Sequence, residues 1–326
     1  MGYFWKKIER WTCLDNRDLK MSLTLGIGVG LFYLAFLPPG IYSMDGNSML
    51  AVAESLVRKH SFTVPPISGM LGRDGQYYSM WYPLLSILAV PFVAIGLVLG
   101  HLFSLPTHYV AAVSALLLPV LLTAATTSLV ALLAIQLGSG GRGAFWAGLT
   151  FAVGTIAPVY GRNFFAEPLL AFLTIGSFYC ALVGTKQRIL SAGVLAGLAV
   201  LAKPTGVIVG PIVSLYLLAR KQPVGTALVP LSGTCVGTIL YSIYNYARFG
   251  NPLTFGQPWS FEITTLPEGF FGLLGSPGRG LLWYCPPVIL SIVGLRKAVQ
   301  SKTLESTAII ILFLAYLLLY SSWTSW

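Results

Sequence analysis

The chain has 326 residues, of which 56% are hydrophobic and only 9% charged, and its mean hydropathy is +0.77. A soluble domain carries about a quarter charged residues, so a water-soluble globular protein is excluded. The net charge of +10 comes from basic residues set in ones and twos at the edges of apolar runs. Positive-inside anchors look like this and nucleic-acid footprints do not, so no nucleic-acid partner is expected.

The segment 1–20 is polar and basic (Lys6, Lys7, Arg10, Arg17, Lys20). No small-residue cleavage site follows it, which predicts a cytoplasmic lead-in to a retained span. Apolar runs then fall at 21–41, 82–103, 109–137, 143–160, 168–184, 189–219, 224–247, 281–295 and 306–320. Runs of ~20 residues are long enough to cross a bilayer. The run 189–219 is interrupted by Lys203-Pro204 and is long enough for two spans.

Parity decides how the run 82–103 is read. If it crosses, Arg142, Lys186, Arg188, Arg220, Lys221, Arg296, Lys297 and Lys302 lie outside, against Arg162, Lys203, Arg248 and Arg279 inside. That violates the positive-inside rule, and leaving 82–103 out of the count reverses it. The run is broken by Pro83, Pro91, Gly96 and Gly100, so a re-entrant or surface-lying element that bends back is expected. The fold class that follows is an all-α polytopic helical membrane protein. It has about nine spans plus a re-entrant or juxtamembrane element in the first outer loop. The single transmembrane domain covers 1–326, with the first outer loop at 42–108 carrying juxtamembrane helices and a later outer loop at 248–280.

In this topology Asp45, Glu54, Asp74, Glu167, Glu262 and Glu268 share the outer side with Arg162, Lys203, Arg248 and Arg279. Charges at the edge of a span are costly and usually mark function. Asp45 opens an amphipathic stretch in which Met49, Val52, Ala53 and Leu56 can line an apolar face. It is a candidate base at the membrane surface, and equally a helix N-cap. The loop from Gly72 to Pro83 holds Arg73, Tyr77 and further aromatics. Such rings suit a sugar surface or an interfacial belt.

Arg162 and Glu167 flank the second outer loop and could pair with each other. Glu167 could instead bind a divalent metal or support Asp45, with Arg162 on a phosphate. Lys203 and Arg279 are the best phosphate candidates, because a fixed cation stabilises a departing phosphate; snorkelling and an ordinary loop charge are the bland alternatives. Gly26-Ile27-Gly28-Val29-Gly30 looks like a nucleotide-loop fragment but lies inside the first span, where small residues serve helix packing. The four cysteines (Cys13, Cys180, Cys235, Cys285) and three histidines have no metal or disulfide spacing. There is no Walker motif, zinc helix or serine-nucleophile elbow.

Together these pieces resemble the bacterial GT-C-type membrane glycosyltransferases, the group that includes protein O-mannosyltransferases and aminoarabinose transferases. The resemblance rests on Asp45 with Leu50 to Leu56, on Arg162…Glu167-Pro168 and on Leu201-Ala202-Lys203-Pro204. It also rests on Tyr244 to Pro252 with Arg248, and on Ser276 to Leu282 with Arg279. It implies a site on the outer face in a bacterial inner (plasma) membrane, with the N-terminus cytoplasmic and Asp45 as general base. It further implies a sugar donor on a polyprenyl phosphate and a lipid, glycan or protein acceptor among membrane lipids. Catalytic roles would fall to Asp45 and Glu167, and substrate contacts to Lys203, Arg279, Arg162, Arg73, Tyr77 and Arg248. The chain departs from the group at Gly46, where an acid often stands, so a paired-carboxylate role passes to Glu54 or Glu167. It also stops where relatives usually continue, which reads as a truncated product, a fragment or part of a split enzyme. A transporter or lipid flippase and a non-catalytic assembly subunit are the alternative readings.

Overall fold

The computed structural model describes residues 15–254 and 260–324. Most of the expected lead-in, and part of the 248–280 loop, therefore lie outside the described residues. Helix α1 (Asn16–Ala35) starts earlier than the lead-in predicts: Asp15 caps it by accepting a hydrogen bond from the Arg17 backbone N–H. Lys20 is thus inside the first helix. After α1 come α2 (Met44–Lys59), α3 (Pro83–Leu102), α4 (Thr107–Ala115), α5 (Leu117–Gln136) and α6 (Gly141–Gly154). Then follow α7 (Ala157–Tyr160), α8 (Glu167–Val183), α9 (Lys186–Ala202), α10 (Val209–Ala219), α11 (Val224–Ala227) and α12 (Val229–Phe249). The last are α13 (Leu266–Gly275), α14 (Leu281–Tyr284), α15 (Val288–Ser301) and α16 (Thr303–Ser321).

The fold is that of an all-α integral membrane protein. Among the described residues four helical stretches are long and apolar enough to cross a bilayer: Asn16–Ala35, Pro83–Leu102, Thr107–Gln136 and Thr303–Ser321. Small residues set the closest packing. A Cβ on Gly26 would meet the Ser128 hydroxyl and Ala124 carbonyl of α5, so the glycine run of α1 serves helix packing. Between α9 and α12, Gly193 faces Val229 and Gly197 faces Gly233, bringing the two backbones together in parallel. The break at Lys203-Pro204 is present. Helix α9 stops at Ala202, a 3₁₀ turn spans Pro204–Ile208, and α10 returns in the opposite direction.

Helix α3 corrects one expectation. It is a single uninterrupted helix with Pro83 in its first turn and Pro91 absorbed in its interior. Gly96 and Gly100 do not bend it. They let it approach Ala111 and Thr107 of α4, making a helical hairpin. Chain reversal happens only at Phe103–Pro106, where Ser104 has φ 53°. At the start of α3 the Ser86 hydroxyl bonds the Met49 carbonyl at 2.9 Å. Just past its end, His108 meets Glu54 at 2.8 Å and Tyr109 lies beside Gly40. The start of α3 and the start of α4 therefore both reach the stretch around α2.

A short hairpin, β1 (Met70–Leu71) with β2 (Tyr77–Tyr78), closes the loop after α2. Gly75 turns it at φ 78°. Asp74 accepts bonds from the Gln76 N–H and the Tyr78 hydroxyl, and the latter holds its carboxyl below the usual range.

Candidate active site

The site forms where four chain breaks meet at one end of the bundle. Ser43, not Asp45, caps α2, its hydroxyl accepting from the Gly46 N–H at 3.0 Å. Asp45 is left free in the first turn, where the helix dipole favours a negative charge. Gly46 is required by space: a Cβ there would meet Ile41, the Ser43 hydroxyl and the Phe164 carbonyl. The glycine thus lets α2 close on the loop that leads into Glu167.

Glu167 opens α8, with Pro168 behind it in the first turn. Lys203 is the extended residue at the end of α9, φ −163° and ψ 134°, a conformation that the following proline favours. Its ammonium donates to Glu167 Oε1 at 2.7 Å and sits 5.4 Å from the Tyr320 ring centroid. The Tyr320 hydroxyl lies 3.2 Å from Thr205 Oγ1. The Asp45 carboxyl is in the field of this pair. Burial holds its pKa above the ordinary value, the Glu167 charge adds to the rise, and Lys203 opposes it.

Glu167 and Lys203 line a cavity of about 1060 Å³. Arg279 reaches the same cavity from the turn before α14, with Tyr160, Tyr320 and Trp323 completing its charged end. The remaining wall is apolar, including Phe151, Ile156, Ala171, Leu281 and Phe313. Thr123, Thr126 and Thr155 also line it, but each hydroxyl donates to the carbonyl four residues earlier. Their hydroxyl protons are thus spent on their own helices. The cavity therefore joins a charged end to a hydrocarbon-like interior.

The other expected site residues lie elsewhere. Arg162 does not pair with Glu167; it donates to the Pro158 and Phe36 carbonyls at 2.8 and 2.9 Å, tying α7 to the end of α1. Arg248 is buried, 2% exposed. It donates to the Ser79 carbonyl and to Asn245 Oδ1, and its guanidinium stacks 3.8 Å from the Tyr244 centroid. Arg73 donates its N–H to the Arg248 carbonyl and lies over Tyr246, while Tyr77 sits in β2. Arg248 and Arg73 fix the hairpin to the end of α12, while Tyr77 pairs with Leu71 inside the hairpin. Glu54 is engaged by His108, so Glu167 is the acid beside Asp45. Tyr160, Tyr320 and Trp323 are cavity residues the sequence reading missed. The only available signal was that each aromatic falls within a few residues of a predicted helix end.

A divalent metal does not fit these residues. One Glu167 oxygen is engaged by an ammonium at 2.7 Å. No cluster of three or more His, Cys, Asp or Glu side chains able to hold an ion occurs among the described residues.

No protein-family model and no curated protein matches the chain. Two solved structures resemble it in fold. One is the oligosaccharyltransferase of Archaeoglobus fulgidus in its apo form, 16% identical, with a TM-score of 0.50 over 84% of this chain. The other is the archaeal oligosaccharyltransferase AglB from the same organism in complex with an inhibitory peptide and a dolichol-phosphate, also 16% identical, with a TM-score of 0.48 over 90% of this chain. The chain spans only 36% of the length of each. At this identity the likeness is one of fold alone.

Proposed function

We propose that the chain carries the catalytic membrane region of a glycosyltransferase that moves a sugar from a polyprenyl-phosphate donor to an acceptor hydroxyl. The cavity carries this reading, because its charged end suits a phosphate and its apolar interior suits the attached hydrocarbon. A water-soluble nucleotide sugar would have no use for that interior. The oligosaccharyltransferase-like fold supports the same class of chemistry without specifying the sugar or the acceptor.

In this mechanism Asp45 takes the proton of the acceptor hydroxyl as its oxygen attacks the anomeric carbon. The bond from that carbon to the phosphate oxygen breaks, and its electron pair leaves on the phosphate. Lys203 and Arg279 stabilise the charge that develops there, and Glu167 holds the Lys203 ammonium in place. The raised pKa of Asp45 makes it a stronger base than an exposed aspartate. No covalent enzyme intermediate is needed.

The topology proposed with it has about nine crossings, with α3 remaining on the site side and the N-terminus cytoplasmic in an inner membrane. Contacts at the far end support this: Asp18 lies by Gly141, Lys302 by Gly138, and Arg220 donates to the Leu182 carbonyl. The basic residues Arg142, Lys186, Arg188, Arg220 and Lys302 thus belong to the helix ends opposite Asp45. Charges gathered at one end suit a transferase better than a transporter, whose site lies near the bilayer midplane. The test is Asp45→Asn in a membrane assay with a polyprenyl-phosphate sugar donor. Transfer is expected to fall at least about a hundredfold, with folding unchanged because Ser43 holds the cap. Intact transfer would refute the assignment.

A further inference from the structure

The misfit of a divalent metal at this site has a positive counterpart in Lys203. In a site with two carboxylates in mutual range, like charges must be compensated by a proton, a metal ion or a cationic side chain. Asp45 and Glu167 are such a pair, Asp45 lying in the field of the Glu167 charge. The compensating charge here is built into the chain. Helix α9 ends at Ala202, and the extended backbone at Lys203 sends its ammonium onto Glu167 Oε1 at 2.7 Å and against the Tyr320 ring. The lysine is only 15% exposed and the glutamate 37%, so the pair is shielded on the lysine side.

A hard divalent ion needs six or more oxygen ligands, and Mg²⁺ takes them at about 2.0–2.1 Å. To bind here it would have to take the Glu167 oxygen from the ammonium and stand within a few ångströms of a fixed positive charge. The energetic conflict is large in a partly desolvated site.

We propose that Lys203 is a resident cation that takes the place of a divalent metal, so that this site works metal-free and excludes metal through Lys203. The proposal rests on the cavity being the active site of the proposed transferase. Its test needs no turnover, and the two can therefore fail separately.

Purified wild-type chain, Lys203→Met and Glu167→Gln would be titrated with Mn²⁺ and followed by electron paramagnetic resonance. The wild type is expected to bind no Mn²⁺ that depends on Glu167. Lys203→Met is expected to bind it at least about tenfold more tightly, since removing one nearby positive charge is worth that much or more. Lys203→Gln serves as a second variant that keeps a polar side chain if the methionine variant fails to fold. A wild-type Mn²⁺ site that is lost in Glu167→Gln would overturn the proposal. Absence of binding in both Lys203 variants would also overturn it, because the ammonium would then not be what keeps the ion out.

Discussion

At the residue scale, the environment of Asp45 sets a pH dependence. Its pKa is raised first by burial and then by the Glu167 charge, while Lys203 lowers it. A general base must be deprotonated, so a raised pKa places the acid limb of the rate profile above that of an ordinary aspartate. Replacing Glu167 with Gln removes a like charge and also leaves Lys203 uncompensated, and both effects lower the Asp45 pKa. The acid limb of transfer in Glu167→Gln is therefore expected at lower pH than in wild type, alongside a reduced maximal rate. A limb that stays where it is in wild type would show that the two carboxylates do not interact. Asp45 was legible in the sequence because an acid at a span edge is rare. Its freedom from capping was not, since Ser43 and Asp45 are both good cap residues and only the backbone decides between them.

At the element scale, the hairpin after α2 depends on a charge buried for structural reasons. Arg248 is held by the Ser79 carbonyl, Asn245 and two aromatic rings, Tyr244 and Phe249. Arg248→Met leaves the Ser79 and Asn245 oxygens without that partner, and each buried oxygen so stranded costs about 1–3 kcal/mol. A lower melting temperature is expected, together with faster proteolysis between residues 60 and 82. Unchanged stability would mean that the hairpin stands without Arg248. Sequence reading placed Arg248 among substrate contacts because a cation at a helix end suits an anion equally well. The aromatic cage that occupies it is assembled from 79, 244, 245 and 249, and its Ser79 arm is too distant in sequence to show as a motif. Helix α3 gives the opposite case. The prolines and glycines expected to bend it serve its N-terminus and its packing against α4 instead.

At the scale of the whole molecule, the membrane arrangement can be read directly. In a background lacking the native cysteines, single cysteines at Asp74 and Ser104 are expected to react with a membrane-impermeant maleimide from the same side. Cysteines at Ser139 and Gln222 are expected to react only from the other. Ser104 and Asp74 labelling from opposite sides would mean that α3 crosses, and the parity of every later helix would change.

Composition alone determined that this chain is a helical membrane protein, because 9% charge cannot clothe a soluble surface. The Lys203-Pro204 dipeptide determined where one long apolar run divides. Each of these is a local or summed property, and a sequence carries such properties openly. The tertiary structure alone decided that Glu167 and Lys203, 36 positions apart, form one ion pair, and that Asp45 lies within the field of that pair. It also decided that Arg162 and Arg248 are engaged by neighbouring oxygens and that Tyr160, Tyr320 and Trp323 share the cavity with Arg279. Those outcomes depend on which helix ends meet, and helix packing fixes that through backbone approaches at glycines such as Gly46, Gly193 and Gly197. A glycine in a sequence says only that a Cβ is absent; the fold says what has come close in its place.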